Sequence, residues 1–349
     1  MKKITLSFIA AFAATVAFGQ VNQDATVQLG VANVALVDQV GLLNSNEILQ
    51  IGTFNIADVD QTGAFNSNTI ASFGIGNIAD IDQLGAFNSN STTQLGIGNV
   101  ADINQWGLGN AAAEYQSGVG NAAVVYQIGT GNTAVDVQNG YFNSSVQSQF
   151  GDYNFAMNVQ SGSFNSNIQN QYGSFNGALN VQDGFANSSN QNQYGSFNFL
   201  SDYQLGWYNL SNQLQIGMGN YASNNQTGIA NNTFQFQYGV GNAASVTQVG
   251  VLNNAYQYQL GLYNSASAYQ LGLSNNSVQL QTGLFNDADS YQFGTDNLIV
   301  QTQTGWFNSA TDLQLGTSNM SFVNQTGLGH IHEGTQVGTG NFMLINQSN

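Results

Sequence analysis

A glutamine recurs every 11 residues along almost the whole 349-residue chain, and a repeat of that regularity decides the architecture before any single residue is considered. From Gln28, Gln39, Gln50, Gln61 and Gln83 through Gln160 and Gln248 to Gln347 there are thirty slots, and only Ser72 departs from glutamine. Two residues after each slot stands a glycine, as at Gly30, Gly41, Gly52 and Gly63, without exception as far as Gly338. Five residues after it stands an asparagine, as at Asn33, Asn44, Asn55 and Asn66, with His330 as the one substitute. Asn22 extends the series one step upstream. A weaker alternation doubles the period: Asn33, Asn55, Asn77 and Asn99 are followed two residues on by alanine, whereas Asn44, Asn66 and Asn88 are followed by asparagine. The structural unit is therefore 22 residues in two similar halves, and thirty slots make fifteen units.

Each 11-residue half reads as a strand and a corner. The stretch from Asn to Gln has no proline and is rich in Val, Ile, Tyr, Phe and Thr, while the x-Gly-x-x that follows carries the glycine and is read as the tight corner. A helix is ruled out because a glycine in every 11 residues costs about 1 kcal/mol each relative to alanine, and the best-kept positions do not follow a 3.6-residue period. The expected fold is all-β: a β-solenoid of about fifteen strand-turn-strand-turn coils, amyloid-like in having cross-β stacking.

In an extended strand the Asn, the residues two and four after it, and the Gln share one face. The residue two after the Asn is usually small, as at Ala123, Ala134, Ser145 and Ala156, so this is taken as the inward face. Polar residues ordinarily lie outside. Repetition changes the balance, because coils stacked about 4.8 Å apart bring like amides over one another, where they hydrogen-bond along the stack. The slot before Gln holds Asp38, Leu49, Tyr126, Val137 and Asn170, the variety expected of a surface. The inward slot two before Gln is aliphatic early (Val37, Ile48, Val59, Ile70) and amide-bearing later (Gln169, Asn180, Gln191, Gln213), which predicts a more polar interior in the later coils.

Lys2 and Lys3 are the only basic residues, and they precede an apolar run, Ile4 to Phe18, that is short for a membrane span. Residues 1–19 are read as a secretory signal peptide cleaved after Gly19, with Ala17 as the second choice, leaving 20–349 as a single repeat domain. That domain has no Lys or Arg and all 18 carboxylates. The chain has no cysteine, which excludes disulfide scaffolds, cysteine metal sites and thiol catalysis. Without cations to meet phosphates, a nucleic-acid partner is not expected. No later segment matches a membrane span, so the chain is expected to be exported and not integral to a membrane.

No catalytic, cofactor-binding or metal site is expected. The acids are read as surface slots that do not converge on a pocket, and no cation is available to stabilise an oxyanion. His330 and His332 share a strand face, but Glu333 points away, so they are read as a degenerate repeat in which His330 replaces a ladder asparagine. Asp58, Asp80 and Asp102 recur by 22, as do Asp38, Asp60 and Asp82, predicting two outward carboxylate columns in which like charges raise one another's pKa and a divalent cation is a conceivable occupant. Phe142, Phe164, Phe175, Phe197, Phe285 and Phe307 each precede a ladder Asn and are read as rows stacking at the corners.

The string N-x-A-x-x-x-Q-x-G-x-x-N, here Asn33, Ala35, Gln39, Gly41 and Asn44, resembles the curlin repeat, and the resemblance runs from Asn22 to Gln347. Curlins are the subunits of curli, the extracellular functional-amyloid fibres of Gram-negative biofilms. The resemblance implies a secreted, self-assembling homopolymer at the cell surface, serving biofilm matrix and cell adhesion. It further implies a minor nucleator subunit, an outer-membrane secretion pore and a periplasmic chaperone as partners. The family's nucleator is usually marked by basic residues in its terminal repeat, and their absence here favours the major, fibre-forming role. Two departures are plain: this chain has more units than such subunits usually carry, and only Gln20 and Val21 separate the expected cleavage site from the first repeat. The competing class is a monomeric solenoid acting as surface adhesin or ligand-binding module. Ice binding, one version of it, would need a regular threonine face, and Thr62, Thr227, Thr282 and Thr326 are scattered.

Overall fold

The computed structural model describes residues 21–349; the expected signal peptide over 1–19 lies outside them, as does Gln20. Thirty strands follow one another, from β1 (Gln23–Val31), β2 (Val34–Leu42), β3 (Ser45–Thr53) and β4 (Ile56–Ala64) to β29 (Ile331–Thr339) and β30 (Phe342–Ser348). The odd strands form one parallel 15-stranded sheet and the even strands another. Every pairing joins residues 22 apart, so Gln28 lies on Gln50, Gly30 on Gly52 and Gln39 on Gln61. The molecule is a β-solenoid of fifteen turns, two strands to a turn.

Strands and corners divide differently from the sequence reading. All strands but the seven-residue β30 are nine residues long and run past the Gln and the invariant Gly, while each corner is only two residues, such as Phe65 and Asn66 between Ala64 and Ser67. The corner turns at the residue before the asparagine, which is left-handed whatever its type: φ is 58° at Phe65, 54° at Phe142 and 67° at Gly76. That conformation costs an L-residue about 1–2 kcal/mol. The invariant Gly belongs to the strand instead. A Cβ at Gly41 would stand 1.8 Å from the carbonyl oxygen of Gly63 in the next coil, so backbone crowding between stacked strands fixes the residue type.

Except in β1, which is exposed throughout, burial alternates along the strands as the inward-face argument requires. In β4, Ala57, Val59 and Gln61 are buried with Asn55 before them, while Ile56, Asp60 and Thr62 face out. The early coils enclose an apolar cluster that includes Ile48, Val59, Ile70, Ile81 and Ile103. From Gln147 to Gln301 the same inward slot of the even strands is a run of buried glutamines, and the interior is correspondingly polar.

The corner aromatics stack. Phe65 and Phe87 lie 4.9 Å apart, Phe175 and Phe197 5.1 Å, and Phe285 and Phe307 5.1 Å, with planes within 3° of parallel. Such contacts contribute about 0.5–1.5 kcal/mol each and help hold a ring-bearing residue in the left-handed turn.

Candidate functional site

Each inward slot becomes a column when coils stack, and the two best-kept slots become hydrogen-bonded ladders. Gln28 donates through Nε2 to Gln50 Oε1 at 2.7 Å, Gln39 to Gln61 at 2.6 Å and Gln61 to Gln83 at 2.7 Å. Midway, Gln160 accepts from Gln138 at 3.0 Å and donates to Gln182 at 2.8 Å, and Gln248 donates to Gln270 at 2.8 Å. At the far end Gln325 donates to Gln347 at 2.8 Å. The second amide hydrogen reaches the backbone of the opposite strand, as from Gln160 to the Ser144 carbonyl at 3.0 Å. One side chain thus ties a coil to the next and closes its own coil. Ser72 interrupts one ladder, its hydroxyl donating to Gln94 Oε1 at 3.2 Å, so Gln50 keeps only its backbone acceptor, Val34, at 3.0 Å.

The asparagines do comparable work at the corner. Asn33 Oδ1 accepts from both the backbone and side-chain nitrogens of Asn55 at 3.1 Å, and Asn33 Nδ2 donates to the Gly52 carbonyl at 3.2 Å. Asn44 repeats this with the Asn66 backbone at 3.1 Å and the Gly63 carbonyl at 3.3 Å. His330 sits in the series as read: its backbone nitrogen donates to Asn308 Oδ1 at 3.1 Å, and its ring meets the Thr326 carbonyl at 3.0 Å, the place taken elsewhere by Asn Nδ2.

The two ladders point opposite ways. Every Gln-to-Gln bond donates toward the C-terminal end, as from Gln28 to Gln50, and every bond between corner asparagines toward the N-terminal end, as from Asn55 to Asn33. A third ladder, in which Gln147 donates to Gln169 at 2.9 Å and so on to Gln301, follows the glutamine direction.

Not all acids are on the surface, contrary to the sequence reading. Glu114, Asp136, Asp202 and Asp312 occupy the inward slot two before Gln and are buried. The signal was available, since that slot had been assigned inward, but its acids were read with the outward ones. Burial pushes Glu114 well above the usual carboxylate range, and the charge of Asp136 adds to it. Asp136 is raised to about 7 by burial, opposed by hydrogen bonds that include Asn158 Nδ2 at 2.7 Å. Asp202 is raised to about 6 in the same way, with Asn224 Nδ2 at 2.7 Å. Asp312 is better furnished, accepting from Gln301 and Ser321 at 2.9 Å and meeting His332 Nε2 at 3.2 Å.

The outward acidic columns form in register: Asp58 on Asp80 on Asp102, and Asp38 on Asp60 on Asp82. Asp60, Asp80, Asp82 and Asp102 are raised, chiefly by burial among stacked neighbours. Like charge comes second for the first three, and at Asp102 a hydrogen bond from Asn104 opposes the shift, so repulsion is the smaller cause, not the leading one the sequence suggested. Among the described residues no three His, Cys, Asp or Glu side chains are grouped to hold a metal, and no helix is long and apolar enough to cross a membrane.

The remaining feature is at the ends. Among the described residues β1 pairs only with β3, β2 only with β4, and β29 and β30 each with one earlier strand. Their free edges carry exposed apolar side chains, including Val31, Leu36, Ile331, Val337 and Phe342. An unpaired edge is a template for another strand. No protein-family model matches this sequence, and no curated protein matches it.

Proposed function

We propose that this chain is a secreted structural subunit that stacks end to end into curli-like amyloid fibres outside a Gram-negative cell, as biofilm matrix and adhesin. One observation carries the reading: the free edges at the two ends are complementary. Gln336 and Gln347 accept from Gln314 and Gln325 and end their ladders with no further glutamine to donate to, and Gln28 and Gln39 begin the same ladders with an Oε1 facing the other way. A second copy continues both sheets, the two invariant glutamine ladders and the Asn33-to-Asn341 column without a change of register. No convergent catalytic group competes with this reading. A nucleating subunit, a secretion pore and a periplasmic chaperone belong to the same proposal through the resemblance to curlins.

Purified residues 20–349, left at neutral pH and examined by electron microscopy and fibre diffraction, should give unbranched fibres with reflections near 4.8 Å along the axis and about 10 Å across it. A protein that sediments as a monomer after weeks at high concentration would support the solenoid adhesin instead.

A further inference from the structure

The inward slot two residues after the corner asparagine carries Asp24, Asn46, Asn68 and Asn90 in the first odd strands, and Ala310 and His332 in the last two. Its hydrogen bonds run one way. Asn90 donates to Asn68 Oδ1 at 2.8 Å, Asn68 to Asn46 at 2.8 Å, and Asn46 to Asp24 Oδ1 at 2.7 Å. Each amide donates to the N-terminal side, and Asn46 and Asn68 also accept from the C-terminal side. Position 24 breaks the pattern, because a carboxylate has no hydrogen to pass beyond the edge. Whatever stacks on that edge must itself bring the donor.

The opposite end presents one. His332 is nearly buried, with Nε2 3.2 Å from Asp312 Oδ1, and its Nδ1 has no partner among the described residues. If the 22-residue register is carried across the gap, Gln336 falls on Gln28, Gly338 on Gly30, Asn341 on Asn33 and Gln347 on Gln39. The same register sets His332 on Asp24. We propose that His332 of one copy and Asp24 of the next form the polar latch of a head-to-tail junction, in which the imidazole bridges Asp312 of its own chain and the incoming carboxylate. The partner is a second copy of this chain. The proposal rests on the fibre reading and adds to it a polarity and a specific pair. An isologous contact, end against like end, would run the facing strands antiparallel and bring no His332 to Asp24, so the buried carboxylate would lack this donor.

The test is a charge exchange followed through seeded elongation. Asp24→Lys should slow addition to wild-type seeds at least about tenfold, as should His332→Glu made with Asp312→Asn so that the new carboxylate meets no like charge in its own chain. Combining all three substitutions should restore the rate to within about threefold of the parent. An Asp24→Lys chain that elongates like the parent, or a triple variant no faster than the others, would overturn the latch. A second readout needs no charge change. Because the chain has no cysteine, the only thiols of an Asp24→Cys/His332→Cys chain are these two, stacked strands bring Cα atoms within the range a disulfide spans, and the two single-cysteine variants, which should give no covalent dimer, exclude like-with-like pairing. Mild oxidation of its fibres should give covalent multimers on a non-reducing gel. Fibres that yield only monomers would refute the pairing while leaving the fibre reading intact, and a parent chain that forms no fibres would sink that reading first.

Discussion

Glu114 and Asp136 stack in consecutive rungs of one interior column, and neither oxygen of Glu114 has a hydrogen-bond partner. Two carboxyl groups in a dry interior, with no base beside them, make folding sensitive to protons. Asp136 is held at about 7 when folded, above its ordinary value of 3.8, so stability is full below about pH 4, falls as pH rises toward 7 and is flat above that. The loss for a shift of that size is on the order of 4 kcal/mol. Asp136→Asn, which extends the amide run from Asn158, should therefore raise denaturant resistance of the soluble chain at pH 8 and leave it unchanged at pH 4. Asp202→Asn should do the same by a smaller amount, since Asp202 is raised only to about 6. Urea unfolding at the two pH values checks both, and equal gains at pH 4 and pH 8 would show that proton uptake is not the cause.

Gln160 and Asn170 offer a matched comparison of inward and outward amides. Gln160 is buried and bonded to two rungs and to the backbone, whereas Asn170 is half-buried and donates only to Asn192 at 2.9 Å. Gln160→Leu strands the Gln138 amide and the Gln182 carbonyl oxygen, at about 1–3 kcal/mol for each unsatisfied group. Asn170→Leu should cost under about 1 kcal/mol. Denaturation midpoints and assembly rates of the two variants should differ accordingly; equal behaviour would contradict the assigned faces.

Two classes of glycine should respond differently to alanine. At Gly129 a Cβ would lie 2.0 Å from the Gly151 carbonyl oxygen, and no rotamer relieves a clash with backbone. Gly109, at φ 67°, has nothing within 4 Å of that position and shares its corner slot with Phe65 and Phe87 in other coils. Gly109→Ala should cost only about 1–2 kcal/mol of left-handed strain, and Gly129→Ala should open the stack locally. Amide hydrogen exchange in the coils around residue 129 would show the difference, with rapid exchange in that variant alone.

The outward columns should brake assembly. No Lys or Arg lies among the described residues to neutralise Asp38, Asp60, Asp82, Asp58, Asp80 and Asp102. The raised values of Asp60, Asp80, Asp82 and Asp102 mean that the folded state is penalised at neutral pH and relieved as pH falls. A variant with all six changed to Asn should assemble faster than the parent at pH 7 and no faster at pH 4. Calcium should accelerate the parent beyond sodium at equal ionic strength only if the columns coordinate it.

The architecture was legible because each of its requirements repeats. Gln, Gly and Asn at fixed spacing exposed the period, and the variety of the slot before Gln, against the small residues after Asn, told outside from inside. What escaped was local chemistry that uses the repeat without repeating. The corner was placed at the invariant Gly because glycine usually marks a turn. Here crowding between stacked strands demands it, and the true turn accepts Phe, Tyr, Leu or Gly and so leaves no constant letter. Glu114, Asp136, Asp202 and Asp312 were missed because acids predict surface on average, although each stands two before a ladder Gln, in the slot the repeat itself places inward.

The opposed directions of the Gln and Asn ladders bear on how long such a rod can become. In an α-helix all amide dipoles align, and partial charge gathers at the two ends. Here the side-chain amides of the invariant glutamine columns point toward one end of the axis and those of the corner asparagines toward the opposite end, so their axial moments oppose each other, with the third glutamine ladder adding to the first direction between Gln147 and Gln301. Adding a coil therefore adds hydrogen bonds whose side-chain moments work against one another, and the dipole at the tip grows less than it would if every amide pointed the same way.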